Sequence, residues 1–232
     1  MKKIFSLGLV IGLLALLTAS SVHKTSAQTA GLVSSTLSRM DRAKHSLKTL
    51  RADIAMEKYN AQLGDKDTYQ GIVLYIPGLA GNAFVRLEWN KPQHETLTVA
   101  NGNYVLYRPR LNMAYVGKTG SIKSAEDSDV LALISMSAAQ LRTKFGEFHD
   151  TREETLWGGV RTTHFTAIPR TTASYQYIEV WVDDSGMPVQ LKMVEKNDDS
   201  TTVRLSNVEK NQPIPIDQFE QKLSSSVKRV KG

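Results

Sequence analysis

The stretch from Tyr69 to Val116 constrains the fold more than any other part of the chain. It holds four runs rich in Val, Ile, Leu, Tyr and Trp, punctuated by Pro77-Gly78, Gly81-Asn82, Lys91-Pro92 and Asn101-Gly102. Runs of that length with turn residues between them describe an antiparallel meander, here read as the wall of a curved sheet. In the first strand, Tyr69–Ile76, Ile72, Leu74 and Ile76 alternate with Val73 and Tyr75, so both faces are apolar. Such a strand needs cover on both sides, unless one face borders a cavity. The second, Phe84–Trp89, separates cleanly into Val85, Leu87 and Trp89 against Arg86 and Glu88, and ends at Lys91-Pro92, since proline donates no ladder hydrogen bond. Glu95–Val99 joins Tyr104–Tyr107 through Asn101-Gly102, and Arg108-Pro109 bends the chain before Met113–Val116.

The N-terminus has to be set aside before the fold is read. Lys2 and Lys3, the apolar run Ile4–Leu17 and the small residues ending at Thr25-Ser26-Ala27 describe a secretory leader cleaved after Ala27. The run is shorter than the roughly 20 residues of a spanning helix. Residues 28–232 are then one exported domain, soluble and periplasmic. The chain has no cysteine, so an exported domain of this kind holds together by burial rather than disulfides and has no lipid-modified cysteine at its mature N-terminus. A 41% hydrophobic content provides the core. The formal charge of +6 loses Lys2, Lys3 and Lys24 with the leader and falls to +3. Without a dense basic patch or stacking aromatics, nucleic acid is not an expected partner.

Beyond the meander, Val33, Leu37, Met40, Leu47 and Leu50 recur at helical spacing, predicting an amphipathic helix over Leu32–Leu50. A polar connector over residues 117–129 leads to a second helical segment capped by Ser128 or Asp129, with Leu131, Ile134, Leu141 and Phe145 on one face. Strands resume at Val160–Ile168, Tyr175–Val182, Pro188–Glu195 and Thr201–Leu205, with turns at Asp183–Gly186 and Asn197–Ser200. An apolar segment (Ile214, Ile216, Phe219) precedes the basic end Lys228–Lys231.

Catalysis leaves converging polar groups, and the sequence offers few. There is no Gly-x-Ser-x-Gly elbow, no His-Glu-x-x-His and no phosphate-cradling glycine loop. His45, His94, His149 and His164 stand singly. His149 with Asp150, Glu153 and Glu154 reads as a solvated acidic turn rather than a metal site, and His164 as a rim or surface residue of a strand. The Asp-rich turns lack the ligand spacing of calcium loops. The residues therefore suggest neither an enzyme nor a cofactor or metal.

The order of features resembles the LolA family of periplasmic lipoprotein carriers. A helix is followed by the strand Gly71 to Gly78, the Phe84 to Pro92 strand, the Asn101-Gly102-Asn103-Tyr104 hairpin, the hairpin Trp181 to Glu195, the Thr201 to Asn211 strand and the Ile214 to Phe219 segment. The resemblance implies a mainly β, α+β fold: an incomplete antiparallel β-barrel, or curved sheet, whose concave apolar face is lidded by helices. It also implies a monomeric carrier that shields the acyl chains of a lipoprotein, or another lipid ligand, between an inner-membrane donor complex and an outer-membrane acceptor. Residues expected to line the cavity are Met40, Leu47, Ile72, Leu74, Ile76, Val85, Leu87, Trp89, Leu131 and Ile134. One departure stands out. Ile76 occupies the position before Pro77 where typical members carry an arginine that ties the lid to the sheet, leaving Arg51 and Arg86 as candidate latches. The alternative within the fold is an envelope-stress sensor that binds lipid and a membrane-anchored regulator, or a carrier of another lipid class. A hydrolase would need a polar constellation in the cavity.

Overall fold

The computed structural model describes residues 24–78, 82–122 and 124–232; the expected leader lies outside them up to residue 23. The elements in order are α1 (Lys24–Ser46), β1 (Leu50–Asn60), β2 (Asp65–Ile76), β3 (Phe84–Lys91), β4 (Glu95–Ala100), β5 (Asn103–Arg108), β6 (Met113–Lys118), α2 (Ala125–Ser135), α3 (Ala138–Lys144), β7 (Phe145–Leu156), β8 (Val160–Pro169), β9 (Tyr175–Asp183), β10 (Pro188–Glu195), β11 (Ser200–Lys210) and β12 (Lys228–Lys231). All twelve strands form one curved, unclosed sheet ordered β12-β6-β5-β4-β3-β2-β1-β11-β10-β9-β8-β7. Every pairing is antiparallel except that of β12 with β6. The helices cover the concave apolar face, giving the mainly β open barrel with a helical lid.

Register decides which side chains share that face. Leu106 stands opposite Leu97, Leu97 opposite Leu87, Leu87 opposite Val73 and Val73 opposite Ala52. On the other half, Met56, Val203, Leu191, Val180 and Phe165 form a second row across β1, β11, β10, β9 and β8. All of these are buried and belong to one core with Val33, Leu37 and Met40 of α1, Val130, Leu133 and Ile134 of α2, and Ala138 and Leu141 of α3.

Two glycines are required by close approach. A Cβ on Gly71 would run into the Glu88 carbonyl, at the irregularity where β2 and β3 shift register. Gly186, at φ +87°, closes the β9–β10 turn directly against the α1 backbone at Arg39. That turn therefore fixes where α1 crosses the sheet.

Several expectations need correction. α1 ends at Ser46, and Leu50 opens β1 instead of closing the helix. The second helical segment is two helices, because Ser137 and Gln140 form a reciprocal capping box that starts α3. The cap of α2 is Ser124, whose Oγ accepts from Asp127 N, not Ser128 or Asp129. Phe145 begins β7, and His149, Asp150, Glu153 and Glu154 lie on that long bulged edge strand rather than in a turn. The basic end Lys228–Lys231 is a strand.

Candidate functional site

The concave face beneath the helices is the candidate site, and the parity of each strand sets its lining. From β1, Ala52, Ile54 and Met56 face it; from β2, Val73 and Tyr75; from β3, Val85, Leu87 and Trp89. Each is at most 4% exposed. Of the residues expected from the sequence, Met40 on α1, Leu47 just after it, Val85, Leu87 and Trp89 on β3, and Ile134 on α2 come together in this core. Leu131 is half-buried and packs against it.

Ile72, Leu74 and Ile76 do not join them. They stand opposite Glu88, Arg86 and Phe84, on the other face of the sheet. There the chain after β11 crosses the convex side. A short turn at Ile216–Phe219 buries Phe219 against Phe84 with ring centroids 5.8 Å apart, and Ile72 and Leu74 line a cleft of about 520 Å³ with Arg51, Arg86, Gln218 and Gln221. The two-sided apolar pattern of β2 thus arises because both faces are covered, by helices on one and by the C-terminal segment on the other. Val73 and Tyr75, with Ala52, Ile54 and Met56 of β1, are lining residues that sequence reasoning passed over. The signal was available in β1, whose buried-exposed alternation is clean and whose hairpin pairing sets Val73 opposite Ala52 and Tyr75 opposite Leu50.

The candidate latches Arg51 and Arg86 are displaced for the same reason. Arg86 donates from Nε to Glu88 at 2.6 Å and from Nη1 to the Gln218 carbonyl at 3.2 Å, binding the C-terminal segment rather than a helix. Arg51 borders the same cleft.

The helices are tied down elsewhere, by a small set of polar contacts. Lys58 of β1 meets Glu126 at 2.6 Å, and Trp89 Nε1 donates to Asp127 Oδ1 at 3.1 Å in a buried contact. Both acceptors lie in the first turn of α2, where unpaired backbone N–H groups favour negative charge. Burial pushes the Asp127 carboxyl up, against the hydrogen bond from Trp89. Burial also pushes Asp129 up to about 6, with Glu126 and Glu195 adding to the rise and Lys58 opposing it. At the other end of α2, Lys44 of α1 donates to the Ser135 carbonyl at 3.1 Å, and burial pulls its ammonium below the usual range. Asp41 pairs with Arg142 of α3 at 2.9 Å, and Arg39 donates to Thr163 of β8 at 2.9 Å.

His164 is corrected from a rim residue to a buried one, at 1% exposure. Its Nδ1 faces the Asp150 carbonyl at 3.1 Å and its Nε2 faces Glu179 Oε2 at 3.0 Å. Glu179 also accepts from Lys192 at 3.0 Å. The hydrogen bond from His164 is the main reason its carboxyl is held down at about 2. His164 follows the parity of Thr162 and Thr166, opposite to that of Phe165 on the helix-covered face. This cluster ties β8, β9 and β10 together, outside the candidate site.

An open barrel whose concave apolar face is closed by helices defines a class of binding folds built around a sheltered hydrocarbon surface. Residues 81–222 match the family model of the outer membrane lipoprotein carrier protein LolA, and the chain belongs to that family. No curated protein sequence matches the chain. Among solved structures, an uncharacterized conserved protein from Thermus thermophilus is similar at 10% identity and a TM-score of 0.54, over 86% of this chain and 98% of that one. LprF from Mycobacterium bovis is similar at 12% identity and a TM-score of 0.52, over 79% of this chain and 95% of that one. The Pseudomonas aeruginosa MucA/MucB complex includes a chain similar at 14% identity and a TM-score of 0.51, over 82% of this chain; the match spans only 61% of that chain. At these identities the likeness is one of fold.

Proposed function

We propose that the chain is exported to the periplasm with its leader removed after Ala27, and that residues 28–232 act as a single-domain, non-enzymatic carrier of acyl chains. The cargo is an acylated lipoprotein, received from an inner-membrane donor and passed to an outer-membrane acceptor. The observation that carries this reading is the make-up of the helix–sheet interface. The sheet side is almost unbroken hydrocarbon, and the described polar ties to α2 are confined to Lys58–Glu126, Trp89–Asp127 and Lys44–Ser135.

Such an interface suits exchange. Each methylene taken from water gains about 0.8 kcal/mol, so an acyl chain and the apolar face of a helix compete for the sheet on similar terms. A lid that swaps contacts with the sheet for contacts with lipid leaves the net free energy small, so cargo can be both held and released. Residues proposed to meet the acyl chain are Met40, Leu47, Val85, Leu87, Trp89, Leu131 and Ile134, joined by Val73 and Tyr75.

Lipid mass spectrometry of the protein isolated from its producing cell tests the reading. Co-purifying acylated peptide or lipid, displaced stoichiometrically by a fluorescent fatty acid, is the expected result. A ligand-free protein that fails to bind the probe would overturn it. Recovery instead in a stable complex with a membrane-anchored regulator would favour a sensor of the same fold.

A further inference from the structure

The charged side chains along one edge of the sheet carry a single sign. β5, the turn after it, β6 and β12, residues 103–118 and 228–231, contain no Asp or Glu. Arg110, Lys118, Lys228, Arg229 and Lys231 are all exposed there, and among the described residues none has a carboxylate within ion-pair distance. Arg108 alone is neutralised, by Glu95 at 3.1 Å. β12 is the outermost strand, with Lys228 beside Met113 and Lys231 beside Val116. At one end of this edge the turn Pro109–Leu111 leaves Leu111 58% exposed next to Arg110. The carbonyl of the following residue, Asn112, accepts the Lys228 N–H at 3.0 Å, so Leu111 lies beside the first cation of β12.

We propose that this edge docks the protein on an anionic phospholipid surface. Side chains of a strand alternate between faces, so the cations of β12 flank both sides of the edge. With the sheet standing on that edge, their long stems bring every charge to one plane of phosphates. Leu111 enters the headgroup layer beside them, and a basic segment with an adjacent aliphatic anchor is what an anionic interface retains. An acidic protein strand added to β12 would use the charges but leave Leu111 without a role. β6 continues through the turn Thr119–Ser121 to Ser124, the cap of α2.

The test is flotation of the full chain with vesicles of equal phosphatidylglycerol and phosphatidylcholine, and with phosphatidylcholine alone. Comparing each variant with wild type on the same anionic vesicles cancels the contribution of Lys2, Lys3 and the apolar run Ile4–Leu17. Each basic residue near an anionic surface contributes about fivefold in affinity. The double variant Arg110→Glu/Lys118→Glu, which leaves β12 intact, should bind the anionic vesicles at least about 25-fold more weakly. Leu111→Ser should weaken binding several-fold at unchanged charge. Binding should fall steeply toward 1 M salt, where the screening length is about 3 Å. Equal binding to neutral and anionic vesicles, or a charge-reversed variant that matches the wild type while melting like it, would overturn the proposal. Capture by polyglutamate beads with no anionic vesicle binding would overturn it in favour of an acidic protein partner.

Discussion

Single residues here carry opposite meanings according to the face they occupy. Leu87 is fully buried on the concave side, facing Val73 and Leu97. Ile72, two strand positions from Leu74, points into the convex cleft. Leu87→Ala should cost about 3 kcal/mol of stability and, on the proposed function, weaken fatty-acid binding more than tenfold. Ile72→Ser should leave fatty-acid binding unchanged and cost about 1 kcal/mol, as read by urea unfolding and probe displacement. Equal binding losses at the two positions would mean that the acyl site does not follow the register. The parity of β3 was legible because Arg86 and Glu88 alternate with Val85, Leu87 and Trp89. That of β2 was not, since its apolar residues are consecutive, and only pairing to β1 separates Val73 and Tyr75 from Ile72 and Leu74. Ile76 shows the same limit: its partner is Phe84, and neither is charged, so nothing in the local sequence reports that the C-terminal segment lies over them. His164 was misjudged because its burial depends on a β7 bulge, with Asp150 at φ +49°, that no local pattern announces.

At the scale of elements, the docking of α2 is expected to depend on pH through Asp129. Asp129 rises from an ordinary value of 3.8 to about 6, chiefly through burial. Between those values the folded protein binds the proton more tightly than the unfolded chain, so the stabilisation is full below about pH 4 and is lost as pH rises through 6. In a dry site that displacement would be worth about 3 kcal/mol; Asp129 retains contact with water, and screening brings it to on the order of 1 kcal/mol. Glu179 has the opposite sign. Its carboxyl is held at about 2, so its contribution is present above about 4.5 and is lost as pH falls toward 2. From pH 4.5 to 6.5 the Glu179 contribution is constant; Asp127 is raised in the same direction as Asp129 but is common to wild type and variant, so their difference isolates Asp129. Over that interval, Asp129→Asn should stabilise the protein relative to wild type by about 1 kcal/mol at pH 6.5, with most of the difference gone at pH 4.5 and all of it below about pH 4, in parallel urea titrations. A difference that does not change with pH would remove Asp129 from the coupling. The helix itself was visible in the sequence, whereas its division at Ser137 depended on a capping box that a continuous apolar spacing from Leu131 to Phe145 conceals.

For the whole molecule, an unclosed sheet has two edges to protect from pairing with other chains. β7 guards one with register irregularities and the exposed charges Glu147, Arg152 and Glu153. β6 would present the other, and the chain covers it with its own C-terminus: Lys228 N–H reaches the Asn112 carbonyl at 3.0 Å and Gly232 N–H reaches the Val116 carbonyl at 2.9 Å. The segment from Asn211 onward thus performs two tasks on one path, seating Phe219 on the convex face and then closing the edge. A basic tetrapeptide at the end of a sequence reads as a tail because its pairing is parallel and more than a hundred residues distant, so no hairpin signal precedes it. Removing residues 228–232 should leave Phe219 and the convex packing in place while exposing the N–H and C=O groups of β6. Sedimentation velocity should then show concentration-dependent self-association that the full chain lacks at the same concentration, with the far-ultraviolet dichroism of the sheet retained. A truncated protein that sediments like the full chain and melts at the same temperature would show that β12 neither protects the edge nor stabilises it.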